Sequence, residues 1–351
     1  MMDNLNNLAR KAVLKLIPYS SARSEIAADG IRLDANENPF CQEEGLNRYP
    51  EPQPRDLKRA LAELYGVKDS QIIMTRGSDE GIDLLTRVFC EPGQDSVVVT
   101  PPTYGMYEVS ASIQGVSVTP VPLLSEAGFA LDKKSLLENP DKGIKLVFLC
   151  SPNNPTGNVF ARADILEICE QFQGKALIVV DEAYIEFSDM ESLSSSLSRY
   201  DNLVILRTLS KAYGLAGARM GCILANQAVV DLLKKIIAPY PIPVPVVKAV
   251  LPALSRKNLD WIRVQIQSIR KEREILRIFL ASLSSVVEVY PSEANFLLVK
   301  VQDANRWMSL CRQHHIVIRS RTHMPELRNC VRISIGTDRE NQRLREVLSY
   351  V

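Results

Sequence analysis

Three stretches decide how this chain folds: KLVFLCSPNNPTG at 145–157, ALIVVDEAY at 176–184 and LVILRTLSK at 203–211. Each opens as a short, nearly unbroken apolar run and ends in polar residues. A strand covered on both faces needs such a run, because both sides of its pleat meet apolar neighbours. Working outward, comparable runs lie at 72–75, 97–100, 116–121 and 222–225, with amphipathic helix candidates at 79–90, 163–172 and 228–237. Strands alternating with helices predict an α/β domain with a mostly parallel seven-stranded sheet covered by helices. Ligands of open α/β sheets sit beyond the carboxyl ends of the strands. The polar residues closing the three stretches are therefore the first place to look for chemistry.

Pro239, Pro241, Pro243 and Pro245 alternate beyond the last of these strands. Proline at that density interrupts a helix, which puts a domain boundary there. A long charged helix is expected from 259 to 283, followed by strands at 286–290, 296–299, 316–319 and 331–335 and by two further helices. The expected organisation is an N-terminal arm (1–30) associated with the small domain, a large domain (31–240) and a smaller α+β domain (241–351).

Composition excludes some functions. The chain has 351 residues, 46% hydrophobic and 24% charged, with a net charge of +1. That balance gives no general attraction to nucleic acid or to an anionic membrane surface. No stretch approaches the ~20 apolar residues of a membrane-spanning helix. The N-terminus lacks the apolar run of a secretion signal. The seven cysteines form no C-x-x-C pair and several sit in apolar runs, as expected of reduced thiols in a cytoplasmic protein. His314, His315 and His323 form no metal-binding pattern, so no metal is expected.

The strand ends bring together Asn154, Asp181, Tyr184, Ser210 and Lys211, with Arg219 eight residues further on. Taken singly each has an ordinary explanation. A loop lysine is usually solvated, an aspartate after a strand caps a helix, and Asn-Asn-Pro-Thr-Gly is turn chemistry. Their combination and order are more restrictive. Ser78 and Asp79 follow Gly77 at the start of a helix, where free N–H groups and the positive dipole end suit an anion; Ser78 is also a plausible N-cap. In the small domain Arg332 alternates with Val331 and Ile333, and Arg319 with Ile318, so both arginines lie off the apolar side of their strands. Arginine matches carboxylate and phosphate geometry.

Ser151–Gly157, Asp181-Glu182-Ala183-Tyr184 and Ser210-Lys211 with Arg219 resemble the fold-type-I aminotransferases of the aspartate aminotransferase superfamily. The segments 18–23 (PYSSAR), 34–39 (DANENP), 48–53 (RYPEPQ), 77–81 (GSDEG) and 101–107 (PPTYGMY) sharpen that likeness to the histidinol-phosphate aminotransferases. The resemblance implies pyridoxal 5'-phosphate as cofactor, joined covalently through Lys211. It implies Asp181 at the ring nitrogen, Asn154 and Tyr184 at the ring's phenolic oxygen, and Tyr104 stacked on the ring. It puts Ser78, Asp79, Ser210 and Arg219 around the cofactor phosphate, with Tyr49 reaching that phosphate from the second subunit of a homodimer. Lys211, Asp181 and Tyr184 carry the chemistry in this likeness. Arg332 and Arg319, with Tyr19 and Asn36, would bind substrate. The implied reaction moves an amino group between L-histidinol phosphate and 2-oxoglutarate, giving imidazole acetol phosphate and glutamate, in histidine biosynthesis. Three other readings share the scaffold: a threonine-phosphate-type decarboxylase, an aromatic amino acid aminotransferase, and a cofactor-binding regulatory module without catalysis.

Overall fold

The computed structural model describes residues 5–19, 31–43, 45–139, 141 and 143–350. The large sheet contains β1 (Ile72–Thr75), β2 (Ser96–Val99), β3 (Ser117–Pro120), β4 (Ile144–Cys150), β5 (Leu177–Asp181), β6 (Leu203–Thr208) and β7 (Gly221–Ala225), in the order β1-β7-β6-β5-β4-β2-β3. Strands β3, β2, β4, β5 and β6 are parallel, and β7 runs antiparallel to both β6 and β1. The apolar runs are continuous because the sheet is buried twice. Met74, Val147, Ile178, Ile205 and Leu224 face one core, while Ile73, Phe148, Val179, Leu206 and Ile223 face the other. The first core is closed by α2 (Arg55–Tyr65), α6 (Arg162–Gln171) and α8 (Val244–Ala253). The second is closed by α3 (Ser78–Phe89), α4 (Met106–Gln114) and α7 (Gln227–Lys234). Two five-residue helices, α1 (Lys11–Lys15) and α5 (Lys133–Leu137), complete this part of the chain.

The second sheet has the order β10-β11-β9-β8 and is antiparallel throughout, built from β8 (Val286–Val289), β9 (Phe296–Val301), β10 (Arg319–Ser320) and β11 (Cys330–Ser334). It packs with α9 (Arg256–Ala281), α10 (Ala304–Gln313) and α11 (Asp338–Leu348) around Trp307, Leu276 and Leu280. Strand β10 is shorter than the expected 316–319. The Ile316 N–H still donates to the Cys311 carbonyl, so the chain is closing off α10 where the apolar pattern alone reads as strand.

Two expectations are corrected. The described part of the arm packs on the large domain, not the small one. Leu5, Leu8, Ala9 and Val13 are buried beside Val88 and Phe89, Arg10 pairs with Glu91 at 3.1 Å, and Lys235 Nζ donates to the Leu14 carbonyl at 2.8 Å. Its residues 1–4 and 20–30 lie outside the described residues. The proline cluster also starts a helix. Pro243 is the N-cap of α8 and Pro245 falls in its first turn, where a missing N–H costs nothing. Ile242, Val250 and Leu254 then join Leu57 and Leu61 in the large-domain core. We propose that the division between domains falls at the start of α9 rather than at 240.

Candidate active site

The carboxyl ends of β4, β5 and β6 open onto a cavity of about 520 Å³, lined by Asn154, Asp181, Tyr184, Lys211 and, from the second sheet, Arg319 and Arg332. Strand β7 starts where β6 ends: Gly221 is in register with Thr208 on one side and with Thr75 on the other. The loop before Gly221 therefore delivers Arg219 to the same rim as Ser78 and Ser210.

Asp181, the last residue of β5, is almost fully buried. Tyr107 Oη donates to its Oδ2 at 2.8 Å and the Ala183 N–H to its Oδ1 at 3.0 Å. Burial pushes its pKa up to about 6; the Tyr107 and Ala183 hydrogen bonds pull against that rise, since they favour the charged form. Lys211 is accessible within the cavity, its Nζ 5.5 Å from the centre of the Tyr184 ring. Surrounding protein lowers its pKa, and Arg332 adds to this, while the carboxylates of Asp181 and Asp79 oppose it. Asn154 bridges the two sheets: its amide donates to Tyr184 Oη at 3.4 Å, and its Oδ1 accepts from Arg332 Nη1 at 2.6 Å.

The rim beside α3 fits an anion. Gly77, not Ser78, is the N-cap; it has φ of 78°, and no side chain caps the helix. A helix start without such a partner presents free N–H groups. Ser78 is the first helical residue and lines the cavity with Ser210 and Arg219. The Asp79 carboxylate is occupied, accepting from Tyr104 Oη at 2.9 Å and pairing with Arg219 at 3.3 Å. Arg219 Nη1 also lies 3.4 Å from Ser210 Oγ. The two glycines here resist a side chain, Gly77 through its positive φ and Gly221 through the backbone it touches. A Cβ on Gly77 would sit 2.7 Å from Arg219 Nη2, and one on Gly221 would sit 2.6 Å from the Gly77 carbonyl carbon.

Beneath this site Arg207 is buried between Glu182 at 2.9 Å and Glu186 at 2.6 Å, its guanidinium 4.4 Å from the centre of the Tyr65 ring. The pairing fixes the segment after β5 against β6 from below.

Three of the expected site residues are not brought into this cavity within one chain. Tyr49 stacks on Tyr240 with ring centres 4.5 Å apart, in a separate groove that also contains Asn36 and Glu37. Tyr19 is exposed and is not among the cavity's lining residues.

The family model for class I and II aminotransferases matches residues 25–348. A histidinol-phosphate aminotransferase of Francisella philomiragia is 45% identical over 97% of this chain and 94% of its own length. One of Flavobacterium johnsoniae is 46% identical over 96% of each. The chain belongs to the histidinol-phosphate aminotransferase family. Among solved structures, the histidinol-phosphate aminotransferase of Sinorhizobium meliloti in complex with pyridoxal-5'-phosphate is 28% identical, with a TM-score of 0.76, over 87% of this chain and 84% of that one.

The residues of this family member fit that cofactor. An uncapped helix start with Arg219 and two serines suits its phosphate. A buried carboxylate suits its ring nitrogen, and an amine of lowered pKa suits its aldehyde.

The sequence reading left several lining residues without a role, Thr103, Thr208, Arg321, His323 and Met324, and with them Tyr107, which lies buried behind the cavity wall. Thr103 Oγ1 donates to Asn153 Oδ1 at 2.7 Å and ties the β2 loop to the β4 loop. Thr208 Oγ1 accepts from the Ser210 N–H at 3.1 Å and sets the turn before Lys211. Among the described residues no group of His, Cys, Asp or Glu is arranged to hold a metal. Tyr107 is fully buried, stacked on Phe148 with ring centres 4.8 Å apart. Its place in the quoted PPTYGMY segment was legible, but its partner Asp181 lies 74 residues away.

Tyr107→Phe removes a donor from Asp181 and keeps the ring packing. We expect turnover to fall about tenfold, the scale of one hydrogen bond to a charged group, with the acidic limb of the pH–rate profile moved to higher pH. An unmoved acidic limb with normal turnover would make Tyr107 a packing residue alone.

Proposed function

We propose that the protein transfers the amino group of L-histidinol phosphate to 2-oxoglutarate with pyridoxal phosphate as cofactor, acting as a homodimer. The observation that carries this reading is one cavity combining an amine of lowered pKa, a buried carboxylate and an arginine wall: Lys211, Asp181, and Arg332 with Arg319. When bound, pyridoxal phosphate supplies an aldehyde carbon for the amino group and an electron-withdrawing ring.

Lys211 holds the cofactor covalently between turnovers. With substrate in place, the Lys211 Nζ would be positioned to take the proton from substrate Cα and to return it as an acid. Its lowered pKa raises the neutral fraction that such a base needs. Asp181 holds a proton at the ring nitrogen. Its burial keeps water from screening that contact. Asn154 and Tyr184 orient the phenolic oxygen, and Tyr104 covers a face of the ring. Arg219, Ser78, Ser210 and the first-turn N–H groups of α3, including that of Asp79, bind the cofactor phosphate. Arg332, held by Asn154, binds the carboxylate of glutamate, and Arg319 meets the second anionic group, which in the other half-reaction is the phosphate of histidinol phosphate.

Tyr49 and Asn36 sit in a groove beside Tyr240. We assign Tyr49 to the neighbouring subunit's cofactor phosphate, with Tyr19 and Asn36 near its substrate. The exposed Leu16, Ile17, Ile31, Leu33 and Phe40 support a face covered by a second copy.

The test is absorbance of the reconstituted enzyme with each substrate, together with product analysis and sedimentation. L-histidinol phosphate should change the cofactor band, 2-oxoglutarate should restore it, and glutamate should accumulate in a dimeric sample. Release of carbon dioxide instead would favour the decarboxylase reading. Turnover of phenylalanine without histidinol phosphate would favour the aromatic one. A band that responds to no amine would favour the regulatory module. A fully active monomer would remove Tyr49 from the site.

A further inference from the structure

The cavity wall contributed by the second sheet carries one cation more than the proposed substrate contacts use. Arg319 on β10 is in register with Arg332 on β11. Arg321 follows Ser320, and its N–H donates to the Cys330 carbonyl at 2.8 Å, which continues the ladder by one residue. The pleat therefore turns Arg319 and Arg321 to the same face. All three arginines line the cavity.

Like charges facing each other across a ladder are destabilising, and among the described residues no acid on this wall offsets them, only the Phe296 ring 5.3 Å from the Arg332 guanidinium. Arg332 has the neutral Asn154 oxygen. The cavity's acids are engaged elsewhere, Asp79 with Arg219 and Tyr104, Asp181 with Tyr107 and Ala183. Arg321 Nε is buried without an acceptor among the described residues. A buried donor without an acceptor calls for an explanation; with that nitrogen closed off, the rest of the Arg321 side chain is what lines the cavity. The electrostatics agree: burial, then Arg332 and Arg319, bring the Arg321 pKa down to about 10.

We propose that Arg321 is a third arginine of the substrate anion site and sets its preference for a phosphate dianion over a carboxylate. One bidentate arginine satisfies a carboxylate, whereas a phosphate offers three terminal oxygens and about two charges. A third guanidinium is thus of most use to the phosphorylated substrate and of least use to 2-oxoglutarate or glutamate. This inference rests on the transaminase reading for its substrate pair.

The experiment uses the reconstituted enzyme and its Arg321→Gln and Arg321→Lys variants. KM is measured for L-histidinol phosphate and for 2-oxoglutarate, with inhibition by inorganic phosphate and thermal unfolding alongside. For Arg321→Gln we expect KM for histidinol phosphate and Ki for inorganic phosphate to rise about 10- to 100-fold, the effect of losing a charged hydrogen-bonding partner. KM for 2-oxoglutarate should change less than about threefold, with kcat moved less than KM. Arg321→Lys keeps the charge without the fork and should fall between, and it serves as the test if the glutamine variant does not fold. Equal weakening toward both substrates, or no change in the phosphate Ki, would overturn the assignment. Wild type that turns over no histidinol phosphate would instead defeat the proposed reaction, and the phosphate Ki would still decide the role of Arg321.

Discussion

Lys211→Ala should lower turnover by at least about 10³-fold while the protein still folds and still takes up pyridoxal phosphate. The size follows from two losses at one atom. Proton transfer by a positioned base is worth about 10²–10⁴-fold on its own, and the covalent hold on the cofactor goes with it. The surroundings argue that no neighbour substitutes. The Asp79 carboxylate is held by Tyr104 and Arg219, and Asp181 by Tyr107 and Ala183. Burial raises the pKa of Tyr184 above its ordinary value, which makes it a poor base near neutrality. Cofactor uptake persists because the rim formed by Ser78, Ser210 and Arg219 is independent of Lys211. The variant should therefore bind pyridoxal phosphate reversibly, lost on dialysis and restored on addition, with an altered absorbance band. A small primary amine such as methylamine, added to the variant, should recover part of the rate, since it supplies a base of the right kind. Activity within tenfold of wild type would mean that another group moves the proton, and His323, which lines the cavity, would be the first to examine.

The site was legible in the sequence where strand burial dictates composition. Strands β4, β5 and β6 are apolar on both faces, so the first polar residues after them mark the sheet's carboxyl edge, and Asn154, Asp181 and Lys211 follow at once. The same logic misses anything positioned by distant packing. Leu5, Leu8 and Val13 give a local helical strip, but its docking beside Val88 and Phe89 depends on a surface that exists only after α3 has folded. The proline cluster reads as a break because prolines stop helices; that they also begin them, as Pro243 and Pro245 do at α8, takes the tertiary contacts of Val250 and Leu254 to see. Ser78 was a fair candidate for a cap by residue type, yet the cap position falls on Gly77, whose φ of 78° is one that other residues rarely adopt. Arg321 was legible and passed over. It continues the alternation of Val317 and Arg319, and only the ladder that pairs Arg319 with Arg332 and carries on to Cys330 gives it meaning.

Asp181→Asn should separate stability from activity. Turnover is expected to drop about 10²–10³-fold, the usual scale for removing one preorganised electrostatic partner from a buried site, because an amide cannot hold a proton at the ring nitrogen. The cofactor-free protein should nevertheless become more stable near neutral pH. The sign follows from proton binding. The Asp181 pKa is pushed up to about 6 in the folded chain, against ~3.9 when unfolded. Between those values the native state binds the proton more tightly than the unfolded state does, so ionisation on raising the pH removes stability. The penalty is absent below about pH 4, where both states are protonated. It is complete above about pH 6, at roughly 3 kcal/mol as an upper figure. Asparagine carries no such penalty. Its single acceptor oxygen serves the Ala183 N–H, and its amide can donate to Tyr107 Oη once that hydroxyl turns, so the loss in hydrogen bonding is about 1 kcal/mol. The net gain above pH 6 is then about 1–2 kcal/mol, and below pH 4 the variant is the less stable of the two. Urea unfolding of both cofactor-free proteins at pH 3.5 and pH 7.5 measures this as a difference, which cancels the opposite pH dependence of carboxylates whose pKa is lowered, such as Asp141 and Glu340. Parallel pH dependence of the two proteins would show that Asp181 ionises without cost. The predicted crossing would show that its buried charge destabilises the empty fold and is retained for the cation it meets when the cofactor binds. Pyridoxal phosphate should accordingly raise the stability of wild type more than that of the variant at pH 7.5.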